Sequence, residues 1–371
     1  MNINIERSEF HKAITKVEGI ISAREIRSVL SNILIETAEN KITLTTTDLE
    51  MGIKTSVSAE IVKPGKITLP AKKLSQAVRE FRSSSINLEA DENFKINIQD
   101  KDRKSAARIS LMGASSEEYP VIPTLPDNAF RKFPSALISE MIRKTSYSMA
   151  EEDARYVFNG LYIINKGTAV SFVGTDGRRL SRVEREFPED LPFQDGIILP
   201  NKAVRELQKL LDNEDGGTIA YEEKDRRIHF RLGEVVLIAK LIEGQYPDYQ
   251  QVIPKKLGEK LNLDRARLES SLRQVAVMAA EPSRQVRLSF QSGSLNISSS
   301  TPDLGEAQDS METSYEGEEL TIAFNSNYIM DIIKTLTGEE VQVSFTSSNA
   351  PAVLLDPQDK SFIAVIMPMK I

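Results

Sequence analysis

The chain contains no cysteine and only two histidines, His11 and His229, among its 371 residues. The absence of cysteine excludes disulfide bridges, thiolate nucleophiles and zinc sites that depend on thiolate ligands. A lone histidine is more often a surface or packing residue than a ligand, and two histidines far apart in sequence argue against a metal cluster. We therefore expect no resident metal or other cofactor, and a reducing cytoplasmic environment.

The sequence also lacks an apolar run as long as a membrane span, and the polar start Met1-Asn2-Ile3-Asn4 differs from the apolar stretch of a signal peptide. There is no low-complexity tract, and 40% of the residues are apolar. A chain of this length is too long for one ordinary core. These features predict a cytoplasmic protein of two or three folded domains, with no membrane contact.

The chain carries three landmarks that recur in the same order, at similar intervals. Thr47-Asp48-Leu49 recurs as Thr175-Asp176-Gly177 and, imperfectly, as Thr301-Pro302-Asp303, at offsets of 128 and 126 residues. The two other sets are Leu69-Pro70, Leu199-Pro200 and Phe324-Asn325, and then Tyr119-Pro120, Tyr246-Pro247 and Met367-Pro368. Self-similarity at a fixed period indicates one structural unit used repeatedly. We predict three domains, at residues 1–125, 126–250 and 251–371.

Each predicted repeat has the order helix, strands, proline-marked turn, helix, strands. Short segments rich in Val, Ile and Thr alternate between apolar and polar residues, as half-buried antiparallel strands do. The candidate helices cover 8–27, 71–82, 135–149, 201–212, 264–279 and 326–337. The fold class predicted is α+β, with two helices per repeat packed on antiparallel sheets.

The second helix of each repeat combines an apolar stripe with a basic outer face. In the first repeat Leu74, Ala77, Val78 and Phe81 form the stripe. Arg79, Lys209 and Lys334 occupy one outward position in the three repeats. For a single helix, charged residues that only solvate its outer face are the simpler interpretation. Because the same charge recurs in three repeats, a functional interpretation is about equally favoured.

The charge distribution is uneven. The net charge is −7, yet the six candidate helices carry more Lys and Arg than Asp and Glu, so the acidic excess lies elsewhere. Helices that face the same way would form a basic surface on an acidic body. Such a surface attracts a phosphate backbone without reading bases, and its binding is sensitive to salt.

Two other classes of function remain open on the residues alone. The first is a phosphoryl-transfer enzyme in which Thr175-Asp176-Gly177 holds a metal. The sequence contains no Gly-x-x-x-x-Gly-Lys loop and no assembled Ser/His/acid or Cys/His set, and Asp176 and Asp48 are more simply organisers of tight turns. The second is a peptide-binding scaffold that does not bind DNA, which would need no basic helices.

The whole chain resembles the bacterial DNA polymerase III β subunits, the sliding clamps. The resemblance depends on five motifs: Thr46-Thr47-Asp48-Leu49-Glu50-Met51, Arg155-Tyr156 with Asn159-Gly160, Gly174-Thr175-Asp176-Gly177-Arg178-Arg179-Leu180, Tyr246-Pro247-Asp248-Tyr249, and Val365-Ile366-Met367-Pro368-Met369-Lys370-Ile371. It implies three DNA-clamp domains per chain and a head-to-tail homodimeric ring of six domains, with helices lining the hole. It also implies a non-catalytic function, in which the ring encircles duplex DNA and tethers the replicative polymerase for processive synthesis.

The resemblance also assigns contact residues. The predicted phosphate contacts are Arg24, Lys72, Lys73, Arg79, Lys202 and Lys209, of which Arg24 and Lys73 are carried over from matching family positions. A pocket between the second and third domains is expected to bind short peptides from the DNA polymerase III α subunit, the clamp loader and repair factors. Its predicted residues are Arg155, Tyr156, Phe158, Thr175, Gly177, Arg179, Leu180, Pro247, Val252, Val365, Met367, Pro368 and Met369, with the two arginines at the rim.

Several positions depart from the family pattern or lack an explanation. Arg178, Gln251 and Ala352 replace residues that are common in the family, which leaves the peptide preference open. The acidic loop Glu151-Glu152-Asp153 has no physical explanation in the sequence. The alternative to the pocket is that Phe362 to Met369 form only a last core strand.

The dimer contact is predicted from sheet edges and charge. An open edge favours aggregation, so pairing it with a second chain protects it. The basic segment of the first domain and the acidic segment of the third suit a head-to-tail contact, in which apolar side chains dominate. The residues are Arg103, Arg108, Ile109 and Leu111 on one side, and Val277, Met278, Asp303 and Glu306 on the other. The alternative is two ordinary solvated strands.

Overall fold

The computed structural model describes residues 1–21, 29–101, 107–212, 216–302 and 304–371. Three predicted contact residues, Arg24, Arg103 and Asp303, lie outside the described residues. Within the described ranges, no helix has both the length and the apolar character needed to cross a membrane.

The described residues form six α-helices and 25 strands. The helices are α1 (Arg7–Glu18), α2 (Ala71–Glu80), α3 (Ser135–Thr145), α4 (Asn201–Leu211), α5 (Arg265–Val275) and α6 (Ser326–Ile333). The strands up to residue 133 are β1 (Asn2–Glu6), β2 (Asn32–Ala38), β3 (Lys41–Thr47), β4 (Met51–Ser58), β5 (Glu60–Lys63), β6 (Lys66–Pro70), β7 (Ser85–Ala90), β8 (Lys95–Asp100), β9 (Arg108–Met112) and β10 (Arg131–Phe133). The next are β11 (Gly160–Lys166), β12 (Ala169–Thr175), β13 (Arg179–Glu186), β14 (Ile197–Pro200), β15 (Gly217–Glu222), β16 (Arg227–Leu232) and β17 (Val235–Lys240). The last are β18 (Glu259–Asp264), β19 (Gln285–Gln291), β20 (Ser294–Thr301), β21 (Gly305–Glu312), β22 (Leu320–Asn325), β23 (Glu340–Phe345), β24 (Ala352–Asp356) and β25 (Asp359–Ile366).

The helices form where the apolar stripes predicted them. In α2 the side chains of Leu74, Ala77 and Val78 are buried, whereas Lys72 and Arg79 are exposed. Burial of this stripe against α1, β6 and β9, rather than intrinsic propensity, is what holds a helix of this length. The α1 helix is shorter than predicted, because it ends at a C-terminal cap on Gly19, and glycine favours helix termination.

The strands form four sheets, in two compact units. The first unit comprises Met1–Ala136, Leu191–Phe193 and Lys202–Leu241. It contains a five-stranded sheet, β5-β1-β7-β8-β9, and an eight-stranded sheet, β10-β15-β16-β17-β4-β3-β2-β6. The second unit comprises Leu137–Asp190, Gln194–Asn201 and Ile242–Ile371. It contains an eight-stranded sheet, β14-β11-β12-β13-β25-β24-β23-β18, and a four-stranded sheet, β21-β20-β19-β22.

Each eight-stranded sheet takes strands from two predicted repeats. The β4–β17 pair joins the first and second repeats, and the β13–β25 pair joins the second and third. Both pairs are antiparallel, as the predicted fold class requires. The compact units follow these continuous sheets, and the domain limits at residues 125 and 250 stay a prediction.

Strand register shows that the three repeats are equivalent residue by residue. A ladder of directly opposed residues begins four positions before the first helix of each repeat and crosses four strands. The three ladders are Ile3–Leu88–Ile98–Ile109, Arg131–Ile219–Phe230–Leu237 and Leu261–Val343–Leu354–Ala364. Ile109, Leu237 and Ala364 are therefore equivalent.

A second equivalence ties each first helix to its sheet. The hydroxyl group of Thr46 donates to the carbonyl of Val17, and that of Ser299 donates to the carbonyl of Val275, both at 2.6 Å. In the second repeat Gly174 takes this place, because a Cβ there would overlap the carbonyl oxygen of Thr145. Thr46, Gly174 and Ser299 are thus equivalent, so the third landmark predicted at Thr301 is one residue out of register.

Candidate partner-binding, DNA-binding and subunit-contact sites

The candidate partner-binding site is built on a buried apolar cluster in the second unit. The cluster contains Ala150, Phe158, Val173, Leu180, Ile198, Tyr246, Val353 and Val365. Val365 on β25 lies directly opposite Leu180 on β13. The rings of Tyr246 and Tyr162 stack with centroids 4.5 Å apart, and Phe158 meets Tyr246 edge-on at 6.2 Å. Aromatic pairs of this kind pack in preferred geometries, so the cluster forms a fixed apolar floor.

Exposed apolar side chains stand within two residues in sequence of this cluster or of a side chain packed against it. Tyr156 is 58% exposed, Val252 is 42% exposed and Met367 is 40% exposed. The N–H group of Met367 donates to the carbonyl of Arg178 at 2.9 Å, so the chain after β25 continues beside the 175–179 turn. A fixed apolar floor with exposed apolar neighbours is the usual composition of a ligand site.

The C-terminal tail is only partly a core strand. Strand β25 ends at Ile366, and the next three residues are exposed or half-buried. The N–H group of Met369 donates to the carbonyl of Ala323 at 2.8 Å, and the carbonyl of Lys370 accepts from Gln285 at 2.8 Å. The core-strand alternative therefore holds for Phe362 to Ile366 and not for the residues that follow, among which Pro368 is half-buried. Predicted pocket residue Pro247 is exposed after the buried Tyr246.

The 175–179 turn is organised by its own side chains. The Thr175 hydroxyl donates to the carbonyl of Arg179 at 2.6 Å and accepts from the N–H of Gly177 at 3.1 Å. Asp176 Oδ1 accepts from the N–H groups of Arg178 and Arg179 at 2.8 and 3.0 Å. Gly177 has a φ of +83°, which glycine adopts readily.

The equivalent turn in the first repeat has the same bonds. Thr47 donates to the carbonyl of Met51 at 2.6 Å, and Asp48 Oδ1 accepts from the N–H of Met51 at 2.7 Å. The interpretation of Asp48 and Asp176 as turn organisers is confirmed. Asp176 Oδ2 also accepts from Arg179 Nε at 3.1 Å, so both of its oxygens are occupied.

Asp153, the last residue of the acidic loop that precedes the candidate site in sequence, has a structural role that the sequence did not reveal. Asp153 accepts from Arg155 Nε at 2.9 Å and from Arg155 Nη2 at 2.8 Å. Hydrogen bonds from Arg155 lower the pKa of Asp153 to about 2. The backbone N–H and carbonyl of Asp153 bond to the side chain of Asn159 at 2.8 and 3.0 Å. The only sequence signal was an acid two residues before a base.

The two predicted rim arginines differ in their environment. The Arg155 side chain is 59% exposed, and its guanidinium carbon lies 4.4 Å from the centroid of the Phe158 ring. The Arg179 side chain is only 12% exposed, and its Nη1 donates to Asp331 on α6 at 2.7 Å. Its guanidinium also lies 4.4 Å from the Tyr328 ring centroid. The charge of Arg179 is therefore already paired within the protein, whereas Arg155 is exposed, and the rim position stays a prediction for both.

The positions that depart from the family pattern have distinct surroundings. Ala352 is 1% exposed and lies opposite Ile366 in the β24–β25 pair. The side chain of Gln251 donates to Asp248 Oδ2 at 3.0 Å. Arg178 is exposed beside the turn.

Of the predicted DNA-contact residues, those on α2 offer the most available charge. Lys72, Lys73 and Arg79 are exposed, and Arg79 Nε lies 3.5 Å from Glu80. Surface ion pairs of this kind are weak, so these charges remain free to meet an anion.

The lysines on α4 are held more closely. Lys202 Nζ donates to the carboxylate of Asp48 and, at 2.7 Å, to the carbonyl of Ile20. Lys209 Nζ donates at 2.7 Å to Glu206, a carboxylate whose residue is 7% exposed. We therefore expect Lys202 and Lys209 to contribute less to phosphate attraction than the residues on α2.

The predicted subunit-contact strands lie at the ends of their sheets. Strand β9 ends the five-stranded sheet and β21 ends the four-stranded sheet. On β9, Arg108 is exposed, and Ile109 and Leu111 are half-buried. Val277 is 73% exposed at the turn after α5, where Met278 is half-buried, and Glu306 is exposed on β21.

Comparison with known proteins identifies the family. Three protein-family models match the chain. They are the N-terminal domain of the DNA polymerase III beta subunit over residues 1–123, its central domain over residues 132–248 and its C-terminal domain over residues 250–370. The chain belongs to the DNA polymerase III beta subunit family. The "Beta sliding clamp" of Chlamydia muridarum is 32% identical over 372 residues, which cover 100% of this chain and 99% of that protein. The "Beta sliding clamp" of Vibrio cholerae is 30% identical and is matched over 100% of both chains.

Solved structures agree with this membership. A crystal structure of a DnaN sliding clamp from Bartonella birtlesii bound to griselimycin is 31% identical, with a TM-score of 0.94 and 100% of both chains covered. The chain is accordingly a sliding-clamp subunit of DNA polymerase III that acts in DNA replication. It is a non-catalytic subunit whose partners are DNA and the polymerase.

Proposed function

We propose that two copies of the chain form a head-to-tail ring of six similar domains that encircles duplex DNA without reading its sequence. The domains would be residues 1–125, 126–250 and 251–371 of each copy. The observation that carries this proposal is the repeated strand junction: β17 pairs with β4, and β25 pairs with β13. The third equivalents of these strands are β9 and β21, which are left at sheet ends.

The equivalence of the three repeats supports a second copy of the chain as the partner of the edge strands β9 and β21. Ile109 is equivalent to Leu237 and Ala364, which lie opposite Ile53 and Ser181. Ile53 and Ser181 are in turn paired with Thr46 and Gly174, the helix-contact positions. In the third repeat the helix-contact residue Ser299 is paired with Ala307. A third junction of the same form would set Ile109 of one copy opposite Ala307 of the other.

Side-chain chemistry is consistent with this junction. Arg108 would bring positive charge to an edge strand that carries Glu306 on the opposing copy. Isolated surface ion pairs add little, so the exposed Val277 with Met278, Ile109 and Leu111 would supply most of the binding energy. Because the contact repeats head to tail, two chains can close it.

The DNA contacts follow from topology as much as from charge. A closed ring retains a duplex mechanically, so its phosphate contacts can be weak and independent of sequence. Lys72, Lys73 and Arg79 would supply most of the attraction and Lys202 and Lys209 less, with Arg24 outside the described residues. We place this activity in the bacterial cytoplasm, on nucleoid DNA during replication.

The apolar site of the second unit would bind short peptides. Phe158, Leu180 and Val365 provide the floor, and Met367 and Met369 provide adaptable walls, because methionine is flexible and polarisable. Such a surface suits a common apolar motif on several proteins, which would be the DNA polymerase III α subunit, the clamp loader and repair factors. Arg178, Gln251 and Ala352 would tune the preference.

Retention on circular and linear DNA tests the proposed mode of binding. Clamp loaded by a clamp loader onto nicked circular plasmid should co-elute with the DNA in gel filtration at high salt. Cutting the plasmid with a restriction enzyme should release the clamp, because a ring slides off a free end. The Lys72→Ala/Lys73→Ala variant serves as a control, since it should weaken low-salt binding but keep the difference between circular and linear DNA. Equal retention on both forms of DNA would rule out encirclement.

A further inference from the structure

We infer that Asp153 is a positioning residue for the peptide site, because it fixes Arg155 as a donor to the bound peptide. This inference rests on the proposed peptide-binding function. It assigns a role to the acidic loop and names the recognised chemistry: an acceptor oxygen of the peptide, either a main-chain carbonyl or a carboxylate.

The first step is that Asp153 is itself held rigidly. Its backbone N–H and carbonyl are both bonded to the amide of Asn159, at 2.8 and 3.0 Å. Its Oδ1 also accepts from the backbone N–H of Arg155 at 2.8 Å. The carboxylate therefore has a fixed position at the start of the 3₁₀ turn Tyr156–Asn159.

The second step is that the carboxylate fixes the plane of the guanidinium. Nε and Nη2 of Arg155 donate to the two oxygens of Asp153 at 2.9 and 2.8 Å, and Nη2 also donates to the carbonyl of Asp176 at 3.2 Å. The guanidinium carbon is 4.4 Å from the Phe158 ring centroid. Two-point pairing sets orientation as well as energy, which a lone lysine charge would not do.

The third step is that one nitrogen is kept available. Within the described residues, Arg155 Nη1 has no recorded acceptor, and it lies 2.9 Å from the point where a Cβ on Gly177 would stand. Gly177 therefore leaves room at this nitrogen, and Arg155 is exposed between the apolar floor and the 175–179 turn. A peptide on the floor formed by Phe158 can accept from Nη1. Preorganised donors bind more tightly because less freedom is lost on binding.

The test is a double-mutant cycle read by fluorescence anisotropy, with a fluorescein-labelled peptide from the host's polymerase III α subunit. Asp153→Asn keeps an acceptor for the Arg155 backbone but loses the charge, and it should weaken binding about five- to tenfold, as loss of an ionic hydrogen bond does. Arg155→Ala should weaken binding at least as much. The double variant should bind no more weakly than Arg155→Ala, because Asp153 acts only through Arg155. Asp153→Glu should restore most of the affinity.

Two controls separate the possible failures. Glu152→Gln removes the neighbouring exposed charge and should leave affinity unchanged, so a loss equal to that of Asp153→Asn would reduce the effect to general electrostatics. Melting temperatures of all variants should match the wild type within about 2 °C, a small shift for a chain of this size. If the wild type binds the peptide and Asp153→Asn binds equally well, or if the two single effects add, the positioning role is wrong and the peptide site stands. If the wild type does not bind, the peptide site itself is wrong.

Discussion

Lys144 is the most strongly buried basic residue in an ionic cluster of the second unit. Its side chain is 6% exposed, and its Nζ lies 2.5 Å from Asp359, 3.5 Å from Glu140 and 3.6 Å from Asp356. Arg185 Nη2 lies 2.5 Å from both Glu140 and Asp359. Burial alone would raise the pKa of Asp359, but hydrogen bonds from Arg185 and Lys144 hold it below its usual value. The cluster ties α3 and β13 to the β24–β25 hairpin.

Replacing Lys144 with methionine should lower the free energy of unfolding by about 3–5 kcal/mol, because it leaves the buried carboxylate of Asp356 without its cation and removes one of the two cations beside Asp359. Guanidinium denaturation followed by circular dichroism measures the change. The deficit should shrink as the pH falls below the ordinary range of Asp, because a carboxyl group with a depressed folded pKa stabilises the fold only while it is ionised. The control is Lys12→Met, which removes an exposed pair with Glu9 and should change nothing measurable. A stable Lys144→Met variant would mean that the carboxylates are satisfied by other groups.

Individual contact residues were predictable from sequence only in part. Exposed Lys72, Lys73 and Arg79 follow from helical periodicity, since the outward face of an amphipathic helix is fixed by its apolar stripe. Arg179 does not, because Asp331 is 152 residues away in sequence and no local pattern shows that the two meet. Asp153 was visible as an acid near Arg155, yet its fixed position depends on Asn159, which local charge patterns do not indicate.

At the scale of elements, the tail after β25 is separable from the core strand before it. Val365 and Ile366 are 1% and 0% exposed and belong to the β13–β25 pair, whereas Met367 and the residues after it lie outside the strand. A deletion that begins at Val365 would therefore damage the sheet. One that begins at Met367 leaves β25 intact and removes the apolar wall of the proposed peptide site, together with the hydrogen bonds of Met367, Met369 and Lys370.

Deleting residues 367–371 should weaken peptide binding by at least tenfold, because adaptable apolar anchors at a binding site carry much of its energy. Fluorescence anisotropy with the α-subunit peptide measures this loss, and sedimentation should show the same dimer as the wild type. Removing only Ile371, which is 64% exposed, is the matched control and should leave affinity unchanged. Full affinity in the longer deletion would show that Met367 and Met369 do not contact the peptide.

Element type was well predicted and element limits less so. The stripe in α2 and the alternation in β19 gave the correct structures, because burial of one face determines both patterns. Helix ends depend on caps, and α1 ends at Glu18, capped by Gly19, well before the predicted limit. The continuation of hydrogen bonding from β17 to β4 could not be predicted, since nothing in either strand's own pattern specifies which edge it meets.

For the whole molecule, the proposed ring makes a geometric prediction about its subunit junction. Cysteines at Ile109 and Ala307 should form a disulfide between two copies, because directly opposed residues on antiparallel strands lie within bonding range. Non-reducing gels after mild oxidation should show a covalent dimer, without background because the wild type has no cysteine. A ring in which both subunit junctions are cross-linked before loading should fail to encircle circular DNA.

A neighbouring pair tests the register of that junction. Cysteines at Ser110 and Ala307 should not cross-link, because successive side chains on a strand point to opposite faces. A cross-link from Ser110 in place of Ile109 would shift the register by one residue. Failure of both pairs in a preparation that sediments as a dimer would place the contact elsewhere.

The hydrogen bonds from Thr46 and Ser299 to helix carbonyls, and the close approach of Gly174, have a consequence for how such repeats diverge. The feature that the repeats share is the spacing between the first helix and its sheet. Thr46 and Ser299 maintain this spacing by donating a hydrogen bond, and Gly174 maintains it by leaving room for the helix carbonyl. Side chains elsewhere can then change until the repeats no longer resemble one another in sequence, while equivalent residues keep the same place in the fold. The common origin of the repeats then remains visible in the backbone geometry after their amino-acid sequences have diverged.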